Sequence, residues 1–272
     1  GKTIIYTSYG TDWRPFGHPR KRRMLNSVIL DQGISDGLLR DVKEFAASPQ
    51  WYFDRGVPYR RGYLLHGPPG CGKTSIIQAL AGELHYNICV LNLSDRGLTD
   101  DKLNVLLSVV PARSFVLLED IDAALVQPRQ QSKVNAFFGN YPKPDGYHFS
   151  VTLSGLLNAL DGVASTEERI VFMTTNHVER LDPALVRPGR VDVRMEIGLA
   201  SVHQVRAMFL RFYPGALELA ERFVAAASTN SQTDAAATRP ALNMAALQNH
   251  FLLYKDDPQA ALDRAGDLIR AP

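Results

Sequence analysis

Cysteine is almost missing from the 272 residues: only Cys71 and Cys89 occur. That excludes a disulfide scaffold and favours a reducing compartment. There is no run of about 18 apolar residues, so no helical membrane span is expected within this stretch. Neither sign of charge dominates. Thirty Lys and Arg against 28 Asp and Glu leave +2, which argues against a strongly basic nucleic-acid binder. An N-K-x-D guanine motif is absent, and none of the seven histidines opens the H-E-x-x-H pattern of zinc proteases. No internal repeat is visible. The chain opens Gly1-Lys2, with neither Met nor a signal-like apolar stretch. A fragment or processed chain is expected, any membrane anchor lying outside it.

The composition that remains is globular, 45% apolar and 21% charged, and the length suits about two domains. Thr3–Thr7 and Ser27–Leu30 read as strands. The basic stretch between them, from Arg14 to Arg23, reads as a charged, solvated edge, with an acidic partner or phosphate as the alternative. Leu38, Leu39, Val42, Phe45 and Ala46 recur at helical spacing after a Ser35 cap, and Pro49 ends the run. Trp51-Tyr52-Phe53 reads as core or a domain joint. Apolar strands then alternate with helices. The strands are Tyr63–His66, Asn87–Leu93, Ser114–Leu118, Arg169–Thr174 and Asp192–Ile197. The helices are Thr74–Leu84, a Thr99-capped run through Leu107, and Leu153–Leu160. Apolar strands spaced this way predict a parallel sheet covered on both faces. After Ser201 the pattern is helical only: Val202–Phe212, Ala216–Ala227, Leu242–Tyr254 and a helix opened by Asp257-Pro258. A Gln-, Pro- and Asn-rich connection at 127–149 reads as functional or disordered, and 228–237 as a mobile loop.

Four stretches carry chemistry. Gly67-Pro68-Pro69-Gly70-Cys71-Gly72-Lys73-Thr74 fits G-x-x-x-x-G-K-[ST] with a strand before it and a helix after. Glycines let backbone N–H groups turn inward onto phosphate oxygens, and the helix adds its positive end. Lys73 supplies a point charge for β- and γ-phosphates, and Thr74 a hydroxyl for Mg²⁺. Cys71 reads as filler and Ser75 as the end of the phosphate site. Next, the apolar run Phe115–Leu118 ends in Glu119-Asp120, placing carboxylates at the sheet edge where ligands bind in open α/β sheets. One carboxylate is expected to hold Mg²⁺, the other to orient the attacking water. Asn176, after Thr174-Thr175, is placed to bridge the γ-phosphate and that water. Finally, Arg187 and Arg190 flank a Pro-Gly turn, and planar guanidinium groups suit spread phosphoryl charge.

In this order the four stretches resemble the AAA-type ATPases over roughly Trp51 to the end, and Ser154–Gly162 resembles that family's helix before the fourth strand. Asp12–Gly17, Arg22–Leu30, Leu118–Ala123 and Phe251–Lys255 extend the likeness to nearly the whole chain. They are similar to the mitochondrial inner-membrane chaperones that assemble respiratory complex III. The resemblance implies an α/β, P-loop NTPase fold: a parallel sheet with helices on both faces, a small all-helical lid and an N-terminal β segment. It divides the chain into 1–44, the end of a β-rich middle domain; 45–199, the nucleotide-binding domain; and 200–272, the lid. It implies ATP and Mg²⁺, and hydrolysis by a homo-oligomeric, heptameric ring. It further implies a folded Rieske iron–sulfur protein as cargo, no nucleic acid, and a matrix-facing location on the mitochondrial inner membrane through a segment outside this chain. Adenine is expected between the lid and Asp54–Pro58.

Three departures from the family pattern stand out. The strand end reads Glu119-Asp120, where most members carry Asp-Glu. By position Glu119 takes the Mg²⁺ role and Asp120 the water-orienting one, with a reach about 1.5 Å shorter; slow or gated turnover follows unless the backbone compensates. The loop Ser94–Thr99 has no aromatic residue, which implies a wide vestibule for folded cargo unless Phe137-Phe138 or Tyr141 grips instead. Arg239-Pro240-Ala241 replaces the usual Gly-Ala, leaving no identifiable lid sensor. Another AAA remodeller, either an unfoldase or DNA-acting, and a nucleotide-gated scaffold with little turnover are the alternatives.

Overall fold

The computed structural model describes residues 1–95, 97–124, 151–161, 168–228 and 242–270. The 127–149 connection with Phe137, Phe138 and Tyr141, most of the 228–237 loop, Arg96, Gly162 and Arg239-Pro240-Ala241 lie outside the described residues.

Nine strands form two sheets among the described residues: β1 (Lys2–Thr3), β2 (Ile5–Tyr9), β3 (Asp12–Pro15), β4 (Arg20–Lys21), β5 (Arg60–His66), β6 (Asn87–Leu91), β7 (Ser114–Leu118), β8 (Arg169–Thr175) and β9 (Val193–Glu196). β1 and β4 make a short antiparallel ladder. The other seven run in the order β3-β2-β6-β7-β8-β5-β9. All neighbours in this sheet are parallel except the β2–β3 hairpin. The N-terminal hairpin therefore extends the main sheet: Ile5, Tyr6 and Thr7 pair with Ile88, Cys89 and Val90. β3 is the edge strand, and Arg14 on it lies over the Tyr9 ring at 3.8 Å. That exposed, charged edge suits a strand that must not pair further.

Helices cover both faces. Between β4 and β5 lie α1 (Ile34–Ala47) and α2 (Pro49–Asp54), and α3 (Lys73–Leu84) and α4 (Asp100–Ser108) follow β5 and β6. The short α5 (Ile121–Ala124) and then α6 (Leu153–Asp161) precede β8. Every residue of β7 and β8 is buried, as strands covered on both sides require. One core joins α1 and α3 to the sheet through Leu38, Val42, Phe45, Ile76, Leu80 and Phe172. The opposite core joins α4 and α6 through Leu103, Leu106, Leu156, Leu160 and Val171. Because α1 spans residue 44 and its Leu38 and Val42 share a core with Phe45, the packing is continuous across that position.

The lid follows as α7 (Val202–Phe212), α8 (Leu217–Ser228), α9 (Met244–Leu253), α10 (Pro258–Asp263) and α11 (Ala265–Arg270). It has its own core around Phe209, Phe223, Leu247 and Phe251. Among the described residues no helix is long and apolar enough to cross a membrane.

Local details differ from expectation for identifiable reasons. Ser27–Leu30 is no strand. A 3₁₀ turn at Leu25–Ser27 leads into extended backbone at Val28. Lid side chains take up its carbonyls instead of a ladder: Arg211 donates to those of Asn26 and of Ser27 (2.7 Å), and Gln204 to that of Ile29 (3.0 Å). Ser201 adds a bond to Asp31 at 3.0 Å. We call residues 23–31 the strap. Helix α1 starts at Ile34 behind Gly33, whose φ of 79° does the turning expected of Ser35. Pro49 ends α1 and also opens α2 as its first residue. Of the aromatic triplet, Tyr52 packs on Phe45, whereas Trp51 and Phe53 are exposed.

Candidate functional site

Parallel register sets the site. β5 and β8 pair through His66 and Thr175, and β7 and β8 through Leu118 and Met173. The residues that follow, Gly67, Glu119 and Asn176, thus emerge on one edge. Gly67 has φ 136°, and a Cβ there would lie 2.3 Å from the Ile197 carbonyl oxygen, so only glycine lets the loop leave the sheet here. Gly70 has φ 74° and packs against lid residues Asn243 and Ala245.

Lys73 is buried, and its ammonium donates to the carbonyls of Gly67 (2.7 Å) and Pro68 (2.9 Å) and to Asn176 Oδ1 (2.7 Å). Burial lowers its pKa, and the nearby Cys71, Asp120 and Asp122 oppose that shift. The Thr74 hydroxyl donates to Glu119 Oε1 at 2.8 Å. Asp120 takes a left-handed φ of 46°, its N–H donates to Thr174 Oγ1 (3.1 Å), and its Oδ1 accepts from Asn176 Nδ2 (3.2 Å). The left-handed turn and the bond to Asn176 thus occur together at this carboxylate.

A cavity of about 350 Å³ opens above this edge. Pro69, Gly70, Cys71, Gly72, Lys73, Thr74, Ser75, Asp120 and Asn176, all expected from sequence, line one end. Glu119 stands behind Thr74, while Gly67 and Pro68 hold Lys73. The strap and the lid complete the lining with the apolar Val28, Ile29, Met208, Met244 and Ala245 and the polar Arg23, Ser27 and Gln248. Asp54–Pro58 is not part of it. Gly56, Val57 and Pro58 line a separate cavity with Tyr59 and Glu168, residues that precede β5 and β8 and so sit at the opposite edge of the sheet. The expected adenine stretch thus stands apart from the phosphate loop, and the strap and the lid line the cavity beside that loop instead.

Sequence reading also passed over Asp122, which is buried. Its Oδ1 accepts from the Thr175 hydroxyl (2.7 Å) and the Asn176 N–H (3.3 Å), anchoring the strand end that carries Asn176. Its place two residues after Asp120 was the available signal.

Arg187 and Arg190 lie off this cavity, in unlike settings. Arg187 is exposed, with no side-chain hydrogen bond or ion pair among the described residues. Arg190 donates to Asp161 Oδ2 at 2.7 Å and to the Ala184 carbonyl at 2.6 Å. Asp192 pins their turn to β5, accepting from the N–H groups of Gly62 (2.8 Å) and Gly189 (3.0 Å).

Mg²⁺ takes hard oxygen ligands and keeps several waters. Thr74 and Glu119 present a hydroxyl and a carboxylate side by side, a donor set that fits it.

Comparison with known proteins agrees with this geometry. The profile of the ATPase family associated with various cellular activities (AAA) matches residues 63–199. That of the mitochondrial chaperone BCS1-like ATPase lid domain matches 202–267. Mitochondrial chaperone BCS1 of Bos taurus is 55% identical over 271 residues, covering 99% of this chain and 61% of the relative. BCS1 of Danio rerio is 53% identical over 270 residues, 98% of this chain and 61% of the relative. The probable mitochondrial chaperone bcs1 of Schizosaccharomyces pombe is 52% identical over 271 residues, 100% of this chain and 56% of the relative. The chain thus spans about three fifths of the length of these relatives. With a strand-edge phosphate loop, a matching domain profile and a BCS1-like lid behind it, the chain belongs to the AAA family of ATPases.

Proposed function

We propose that this chain hydrolyses ATP as one subunit of a homo-oligomeric ring and belongs to a chaperone that moves folded protein. The observation that carries the first part is the convergence of Lys73, the Thr74–Glu119 pair and the Asp120–Asn176 pair beside a cavity that is also lined by apolar strap and lid residues. The triphosphate lies along Gly70–Ser75 over the N-terminus of α3, and the base lies against Val28, Ile29, Met208 and Met244. Lys73 neutralises β- and γ-oxygens. Thr74 and Glu119 would hold Mg²⁺, which would supply further charge neutralisation on the phosphates. Asp120, steadied by Asn176, orients a water whose oxygen bonds to the γ-phosphorus. The β–γ bridging P–O bond breaks, ADP leaves with the electron pair, and the water's proton passes to the carboxylate or solvent. Arg187 of a neighbouring subunit supports the γ-phosphate charge, while Arg190 holds the turn in its own subunit.

The relatives' printed name, mitochondrial chaperone, supports placing the protein in mitochondria. By resemblance, the ring is heptameric and sits on the inner membrane facing the matrix, held by a segment outside this chain. Its cargo is the folded Rieske iron–sulfur protein for complex III assembly. The lack of an aromatic side chain among the described residues of 94–99 supports a wide vestibule.

Steady-state hydrolysis by the purified full-length ring tests the catalytic part. Asp120→Asn and Glu119→Gln should each lower turnover about 10²-fold or more while nucleotide still binds. Wild-type turnover in Asp120→Asn would overturn the role given to Asp120. Tight binding without turnover in the wild type would favour a nucleotide-gated scaffold.

A further inference from the structure

Three charged side chains line the cavity: Lys73, Asp120 and Arg23. The first two already have tasks. Arg23 comes from the strap, is half-buried, and makes no ion pair among the described residues. Its partners are two neutral oxygens at long range, Ser27 Oγ at 3.3 Å and Gln78 Oε1 at 3.5 Å. They use two of a guanidinium's five donors. Burial lowers its pKa with no acidic neighbour to offset the cost. A cation taken part-way out of water beside a phosphate loop, without a counter-charge, is a site that gains from an anion.

Its position says which anion. The Arg23 backbone crosses α3 at Gly82, where a Cβ would come within 2.4 Å of the Arg23 carbonyl oxygen. The side chain then reaches Gln78, one turn nearer the start of α3 and on the same face. Ser75, three residues further, lines the cavity. Asp120 and Asn176 mark the γ end. Val28 and Ile29, five and six residues after Arg23 on the same strap, mark the base end. Arg23 thus lines the same cavity as the phosphate loop and as Val28 and Ile29 of its own strap.

Building on the nucleotide reading above, we propose that Arg23 is a nucleotide-binding residue that contacts the phosphate nearest the ribose. It thereby sets affinity for di- and triphosphate alike without taking part in γ-phosphate cleavage. The planar fork suits two phosphate oxygens.

The test uses the full-length ring with Arg23→Gln, Arg23→Lys and Gln78→Ala. ADP and a non-hydrolysable ATP analogue are titrated, and kcat is measured at saturating ATP. Arg23→Gln should weaken both nucleotides by the same factor, about tenfold or more, with kcat within about twofold of wild type. Arg23→Lys should recover part of the loss, because the charge remains. Gln78→Ala should change affinity less than Arg23→Gln. Unchanged affinity for both nucleotides in folded Arg23→Gln overturns the proposal. So does a loss confined to the ATP analogue, which would put Arg23 at the γ end. If Arg23→Gln does not fold, Arg23→Lys decides: a loss of a few-fold on ADP supports the contact, and wild-type affinity overturns it. Wild-type protein that binds neither nucleotide would instead overturn the nucleotide reading itself.

Discussion

The two walls of the cavity are built differently. One is a row of strand ends. β5, β7 and β8 are locked in parallel ladders, and Lys73, Asp120, Asn176 and the buried Asp122 are bonded to one another across them. The other is made by lid helices meeting the strap through Arg211, Gln204 and Ser201, with one backbone bond from Ala245 to Gly70 (3.0 Å). Breaking the first wall means breaking sheet ladders and a buried polar network. Breaking the second means exchanging a few partly exposed side-chain bonds, worth about 0.5–3 kcal/mol each, the upper part of that range applying to those of Arg211 and Asp31. The stiff wall therefore suits chemistry, which needs groups held to within about 0.5 Å. The detachable one suits opening, closing and nucleotide exchange.

The sharpest way to break this comparison is the arginine turn that Asp192 pins to β5. Arg187→Ala should leave Tm unchanged and lower turnover of the assembled ring by roughly 10³ or more, the size of a trans arginine's contribution. Arg190→Ala should lower stability by about 1–3 kcal/mol, because Asp161 and the Ala184 carbonyl lose a charged partner. Thermal melts and hydrolysis assays on the same preparations separate the two. Loss of turnover in Arg190→Ala at wild-type Tm would reverse the assignment.

A smaller effect should follow from loosening the strap. Gln204→Ala and Arg211→Ala together should raise KM for ATP several-fold, change kcat little, and cost about 1–2 kcal/mol. If kcat collapses while KM holds, the lid wall takes part in chemistry and the division of labour is wrong.

The smallest effect concerns His66, the last residue of β5. Burial and the nearby Arg194 and Lys73 lower its pKa from 6.5, with Glu196 opposing. The unfolded chain therefore takes up a proton before the folded one does. Stability should be unaffected above about pH 7 and fall as pH drops below 6.5. Replacing His66 with Gln should flatten that acid limb in a pH series of melting curves. An unchanged limb would mean other groups carry it.

Much of the stiff wall was legible because each part is contiguous. A strand, six loop residues and a helix carry the phosphate loop, and an apolar run ending in Glu119-Asp120 needs no distant partner to be recognised. The apolar end was not legible. Val28, Ile29, Met208 and Met244 lie about 180 or more residues apart along the chain between strap and lid, and none has a spacing that marks it. The stretch expected to meet adenine lies apart from the phosphate loop for a related reason: Gly56–Pro58 leads into the start of β5, whereas the phosphate loop leaves its end, about seven residues away. Ser27–Leu30 looked like a strand because its residues favour one. Lid side chains claimed the carbonyls first.

By itself, then, the amino-acid sequence determined the alternation of buried strands and helices, the phosphate loop, and the carboxylates beside it. These follow from local periodicity, glycine's backbone freedom and the order of residues along one segment. Only the tertiary structure decided that the N-terminal hairpin joins the main sheet, that Arg190 is tied while Arg187 is not, and that Arg23 faces the cavity. Those outcomes depend on which surfaces meet after burial, and a one-dimensional pattern carries no record of the partner that a side chain finds across the fold.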